Sequence, residues 1–179
     1  MKTLTKTVLS LAALCVVGSA SAQMEGVTYG FEAKGTKSTE GLWLAKPLVE
    51  NGSLAFSEEQ AASGTHSLRV EIGKNDGKVF NFRVGDNTKK FNLSKGKHTA
   101  SFKIYPTDKS PKKFGFALFT GDNPVRVLYN TSDYPAGQWS EVKADFELEA
   151  DFSDSFYLLL PNWQGEDSGV FYFDDLLVE

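Results

Sequence analysis

The 179-residue sequence has one cysteine, Cys15, and two histidines, His66 and His98. The cysteine falls in residues 1–22, which have the layout of a bacterial-type secretory leader. Lys2 and Lys6 stand in front, an apolar run extends from Val8 to Val17, and Ala20-Ser21-Ala22 precedes Gln23. A chain that matures at Gln23 has no disulfide, no thiolate metal site and no thiol nucleophile. A second reading makes Cys15 a lipid-attachment site; Leu14 argues against it, because the residue before such a cysteine is normally small. Neither histidine adjoins a nucleophile motif, so a catalytic triad has little support. Two separated histidines without cysteine also make a poor zinc site. Long hydrophobic runs are absent too: the leader's falls short of the ~20 residues a membrane-spanning helix needs, so the chain is not expected to be membrane-integral. Positive charge is scarce. Without Lys2 and Lys6, the 19 basic residues become 17 against 23 acidic ones, a net charge of −6. With no basic cluster, the chain is expected to be a poor nucleic-acid binder, and anionic membrane surfaces are disfavoured for the same reason.

What the sequence has is aromatic residues and alternation. All 14 Phe, 6 Tyr and 3 Trp lie beyond residue 22. Residues 23–179 therefore form one domain, with apolar content enough for a core without staples. Ser67–Ile72 alternates polar and apolar, as do Lys78–Val84, His98–Tyr105, Lys113–Phe119, Val125–Asn130, Trp139–Leu148, Ser155–Leu160 and Val170–Val178. Turn chemistry separates them, as in Asn75-Asp76-Gly77 and Tyr134-Pro135-Ala136-Gly137. With Val27–Glu32 and Ser53–Phe56 added, about ten strands without βαβ alternation predict an all-β antiparallel sandwich or barrel. Ser57–Ser63 alone suggests helix, of one or two turns.

Several short motifs occur in a recognisable order: Tyr29-Gly30-Phe31-Glu32, the segment Ser63 to Val70, the segment Leu93 to Phe102, Gly137-Gln138-Trp139-Ser140-Glu141-Val142 and Gly169-Val170-Phe171-Tyr172-Phe173-Asp174-Asp175-Leu176. This order resembles the jelly-roll carbohydrate-binding modules of families 4, 9 and 22, within the galactose-binding-domain-like sandwiches. The resemblance covers nearly all of residues 23–179 and implies a jelly-roll β-sandwich. It also implies a structural calcium ion near Glu32 and Asp174, with a backbone carbonyl around Gly64-Thr65 as a third ligand. Two carboxylates and carbonyls are the hard oxygen donors calcium prefers. Strict alternation puts Asp174 on one face with Tyr172, Leu176 and Val178, where an unpaired charge would be costly. The alternative is that Asp174 pairs with Arg69 or caps a turn while Glu32 ends a strand in solvent.

A saccharide site needs flat apolar surface for ring C–H faces and planar polar groups for hydroxyls. Alternation turns Phe80 and Phe82 inward, leaving Asn81 and Arg83 outward. Phe114, Phe116 and Leu118 point inward, leaving Gly115 and Ala117 outward with room above the sheet. With Arg126 and Tyr157, these residues form a candidate groove floor; the competing reading is a solvated face whose Arg stems cover apolar surface. Trp163 and Trp43 lie in polar loops as candidate stacking platforms, whereas Trp139 reads as core. The resulting expectation is non-catalytic polysaccharide binding by an exported module. Alternatives are a cell-envelope protein-interaction module, recognisable by a contiguous exposed apolar patch, and a small glycan hydrolase or lyase, which needs two carboxylates about 5–9.5 Å apart in a cleft.

Overall fold

The computed structural model describes residues 27–32, 42–44, 52–72, 79–84, 91–121, 124–161 and 169–179. The expected leader lies outside the described residues. The described residues include thirteen strands: β1 (Val27–Tyr29), β2 (Leu42–Leu44), β3 (Gly52–Ser57), β4 (Ser67–Ile72), β5 (Val79–Val84), β6 (Phe91–Leu93), β7 (Gly96–Pro106), β8 (Lys113–Leu118), β9 (Val125–Asn130), β10 (Ser140–Leu148), β11 (Phe152–Asp154), β12 (Phe156–Pro161) and β13 (Gly169–Val178). Every pairing is antiparallel. One sheet runs β10-β7-β13-β4-β3, with β1 also on β13; a second runs β2-β5-β12-β8-β9; β6 and β11 form a two-stranded ribbon. The expected all-β jelly-roll sandwich is the fold observed. Among the described residues no helix is long and apolar enough to cross a membrane.

The two large sheets enclose a core built on the alternation. Phe102 of β7 meets Phe114 and Phe116 of β8 edge-on, each at 6.3 Å between ring centroids. Phe116 stacks on Phe156 of β12 at 5.0 Å. Each buried Phe removes roughly 150–250 Å² from water, so these rings hold the sheets together.

Two local expectations fail for identifiable reasons. Ser57–Ser63 is not helical. Ala62 and Ser63 donate their N–H groups to the carboxylate of Asp174 (2.8 and 3.3 Å), not to carbonyls four residues back. Ser67 donates its hydroxyl to the Gln60 carbonyl (2.5 Å), which also fixes this segment as a loop. Among the described residues the helical geometry is a 3-10 turn at Thr131–Asp133.

The second failure concerns parity along β13. Phe171 and Phe173 face the core, and so do Leu176 and Val178. The register with β7 shifts between Asp174 and Leu177, and Asp175 has φ 48°. This β-bulge inserts an extra residue. Asp174 therefore shares the outer face with Tyr172 but not with Leu176 or Val178.

Candidate functional site

The five-stranded sheet has an outer face, opposite the core. Directly opposed residues in antiparallel strands point to the same side. In β12, Phe156, Leu158 and Leu160 belong to the core, which leaves Tyr157 and Leu159 outward. Tyr157 is opposed by Arg83 of β5 and by Ala117 of β8. Arg83 is in turn opposed by Trp43 of β2, and Ala117 by Arg126 of β9. One row thus crosses the whole sheet: Trp43, Arg83, Tyr157, Ala117, Arg126. Four steps of ~4.8 Å make it about 19 Å long. The next outward row holds Asn81, Leu159, Gly115 and Leu128.

The backbone register therefore brings five of the six predicted ligand-binding residues to one face: Trp43, Arg83, Asn81, Tyr157 and Arg126. Trp163 lies outside the described residues. Tyr157 is partly exposed and Arg126 exposed.

The expected room above Gly115 and Ala117 is narrower than alternation implied. Both residues are buried, and Leu159 is 3% exposed. A Cβ on Gly115 would collide with the Val127 carbonyl and come within 3.0 Å of the Leu128 side chain. Leu128 has closed over the glycine, so this row of the floor is an apolar strip.

Phe119 was not singled out from the sequence. Two residues beyond Ala117, it lies on the same face, 40% exposed, the sole exposed large hydrophobic among the described residues. Its ring meets Tyr157 at 4.7 Å and 90°. The signal was present: with Leu118 committed to the core, the adjacent Phe119 must turn outward.

The other predicted cluster surrounds the loop between β3 and β4. Because β1 and β4 lie along the same edge of β13, Glu32 just after β1 reaches the start of β4. Its carboxylate accepts the Thr65 N–H (3.0 Å), the Thr65 hydroxyl (3.0 Å) and the His66 N–H (3.3 Å). Burial pushes the Glu32 carboxyl up, but these bonds outweigh it and leave it below the usual value. Asp174 is fully buried and accepts the N–H groups of Ala62, Ser63 and Asp175 (2.8 Å for the last). Burial raises its pKa, and the three donors offset only part of that rise. Glu32 and Asp174 thus grip neighbouring residues of one loop, with Gly64 between them at φ 60°. Arg69 does not pair with Asp174; it lies between Glu59 (3.4 Å) and Glu71 (2.8 Å). Among the described residues no three His, Cys, Asp or Glu side chains converge as a metal cluster. A cation here would take two carboxylates plus backbone or hydroxyl oxygens.

Trp139, expected in the core, lies on the outer face of the other sheet. Ser140 pairs with Ile104, an inward position, so Trp139 falls one residue out of phase with the core and meets the ring of Tyr105 at 5.5 Å. A cleft of about 720 Å³ also lies on that sheet, along β7 and β10, lined by His98, Phe146, Asp145, Glu147 and Glu179.

No family model matches the sequence, and no curated protein matches it. Solved structures do. A Clostridium thermocellum endo-1,4-β-D-xylanase fragment with a family 22 carbohydrate-binding module, complexed with xylohexaose, superposes with TM-score 0.60 at 16% identity, over 88% of this chain and 28% of that one. The C-terminal family 22 module of the same organism's xylanase gives 0.56 at 13% identity, over 85% and 90%. The xylan-binding domain of a Paenibacillus barcinonensis xylanase gives 0.54 at 14% identity, over 87% and 95%. The chain thus spans under a third of the multidomain xylanase fragment but most of the isolated modules. The fold is that of the jelly-roll carbohydrate-binding modules. At these identities the likeness defines the architecture and leaves the ligand to be argued from the site.

Proposed function

We propose that this chain is a non-catalytic glycan-binding module of an exported protein, holding a polysaccharide chain across the outer face of the five-stranded sheet. The observation that carries this is the row Trp43–Arg83–Tyr157–Ala117–Arg126, with Phe119 edge-on to Tyr157. The Tyr157 and Phe119 rings offer apolar surface to sugar C–H faces, and Arg83, Arg126 and Asn81 supply planar donors for hydroxyls. Structures of the same fold are described as bound to xylohexaose or as xylan-binding, which makes neutral plant-type polysaccharides the first ligands to test. The leader-like residues 1–22 support export.

A calcium ion near Glu32 and Asp174 belongs to the same proposal. Asp174 is a fully buried carboxylate with no ion-pair partner among the described residues, since Lys103 is taken by Asp175 (2.8 Å). Bound there beside the Gly64 loop, the ion would supply charge compensation and tie the ends of the domain together, not chemistry.

The test is a glycan array with the wild-type chain beside Tyr157→Ala and Trp163→Ala variants. Binding to a defined polysaccharide class, lost in Tyr157→Ala, supports the reading and ties it to this face. Absence of binding to any glycan overturns it in favour of a protein-interaction module.

A further inference from the structure

The outer face of the six-stranded sheet carries a second ordered row that the first site does not use. Tyr172 of β13 is opposed by Tyr105 of β7 on one side and Arg69 of β4 on the other. Trp139, at the start of β10, continues the row beyond Tyr105. The rings are contiguous: Trp139 to Tyr105 at 5.5 Å, Tyr105 to Tyr172 at 5.8 Å. Trp139 and Tyr105 are partly exposed; Tyr172 is 5% exposed and donates its hydroxyl to Glu59 (2.5 Å). Three strand steps make the row about 14 Å long.

Its polar end is built, not incidental. The Arg69 guanidinium is held between two carboxylates, with Nε 3.4 Å from Glu59 and Nη1 2.8 Å from Glu71, which fixes the plane it presents at the end of the row. The flanking charges are matched as well: Lys103 with Asp175 at 2.8 Å, and Lys143 with Glu141 at 3.3 Å. A face with aromatic surface, planar donors and acceptors, and nearly balanced charge suits an uncharged polyhydroxylated chain better than an acidic one.

From the row Trp139–Tyr105–Tyr172–Arg69 we infer a second saccharide-binding surface on the face opposite the first, for a neutral glycan. It extends the glycan-binding reading, and its failure can be told from failure of that reading.

Trp139 is the reporter. A Trp43→Phe/Trp163→Phe variant leaves it as the sole tryptophan, and Tyr157→Ala in that background silences the first face. Xylohexaose, cellohexaose and β-1,4-galactotriose are the probes. The expected result is a saturable shift of Trp139 emission with at least one of them, weakened about tenfold or more by Arg69→Gln. If the multiple variant does not fold, the indole N–H resonance of Trp139 in the 15N-labelled wild-type chain, assigned with Trp139→Phe, gives the same reading. Calorimetric binding to the wild type with an unmoved Trp139 signal overturns the second surface and leaves the first. No heat with any probe and no Trp139 response overturns both. Capture of a polypeptide that depends on Trp139, with no glycan response, also overturns it.

Discussion

Gly64 shows how tightly single positions are set around the Glu32–Asp174 loop. Its φ is 60°, and a Cβ there would land on the Glu32 carboxylate. Gly64→Ala combines left-handed strain with that collision, so a loss of about 1–2 kcal/mol is expected in urea unfolding. Gly30→Ala, with nothing within 4 Å of the added carbon, is the control and is expected within ~0.5 kcal/mol of wild type. Glu32 and Asp174 respond to pH with opposite signs. The Glu32 pKa is lowered from 4.5 in the folded state despite burial, because Thr65 and His66 donate to it. Its contribution to stability is therefore complete above that value and fades as pH falls through the folded value. Asp174 is raised from 3.8 by burial, so what it adds when protonated fades as pH rises. The stability gap between wild type and Glu32→Gln should accordingly be wider at pH 7 than at pH 3.5. A gap that widens on acidification would contradict the hydrogen-bonding scheme.

At the scale of the strand, parity decides which side chains reach a ligand. Alternation was readable where it ran unbroken. Val125–Asn130 and Ser67–Ile72 are strands with those bounds, and Tyr157 and Arg126 could be assigned outward from their apolar neighbours. It misled wherever a backbone event shifted phase. The bulge at Asp174–Asp175 reverses the facing of the last four strand residues, and no residue type near it announces the extra position. Trp139 fell on the wrong side for a similar reason: the core phase of β10 is set by Val142 and Phe146, and Trp139 is out of step with both. Gly115 looked like open space because its cover, Leu128, comes from the next strand. Phe119 tests the strand-level reading directly. It is exposed at rest, so Phe119→Ala should cost under ~1 kcal/mol while weakening glycan binding about tenfold. Phe116→Ala, in the core at 0% exposure, should cost about 3–5 kcal/mol. If Phe119→Ala binds glycan as the wild type does in calorimetry, the platform lies elsewhere on the face.

For the whole molecule, the question is what holds the two ends of the described chain in one sandwich when the described residues include no cysteine. Strand β1 joins β13 through Val27–Val178, Thr28–Leu177 and Tyr29–Leu176, a short ladder for a closure between opposite ends of the described chain. Glu32 and Asp174 reinforce it by anchoring both ends to the loop between β3 and β4. Hydrogen bonds alone already do this in part, and Asp174 pays a desolvation penalty that its three N–H donors do not cancel. A cation at this point would offset that penalty and act on the native state alone, since the ligands are far apart in sequence. Occupied at a hundred times its dissociation constant, it would add ~2.7 kcal/mol by mass action. For a chain of this size that corresponds to a melting shift of roughly 5–10 °C. The expected outcome is a downward shift of that order when excess chelator is added, restored by calcium in molar excess over the chelator but not by magnesium, which accepts irregular carbonyl-rich sites poorly. The Asp174→Asn variant should lose the calcium response. An unchanged melting curve in chelator, with no metal by elemental analysis, would mean that backbone N–H donors alone satisfy the two carboxylates. The closure would then rest on the β1–β13 ladder and the loop, and replacing Tyr29 with proline, which cannot donate to a ladder, should be the more damaging change.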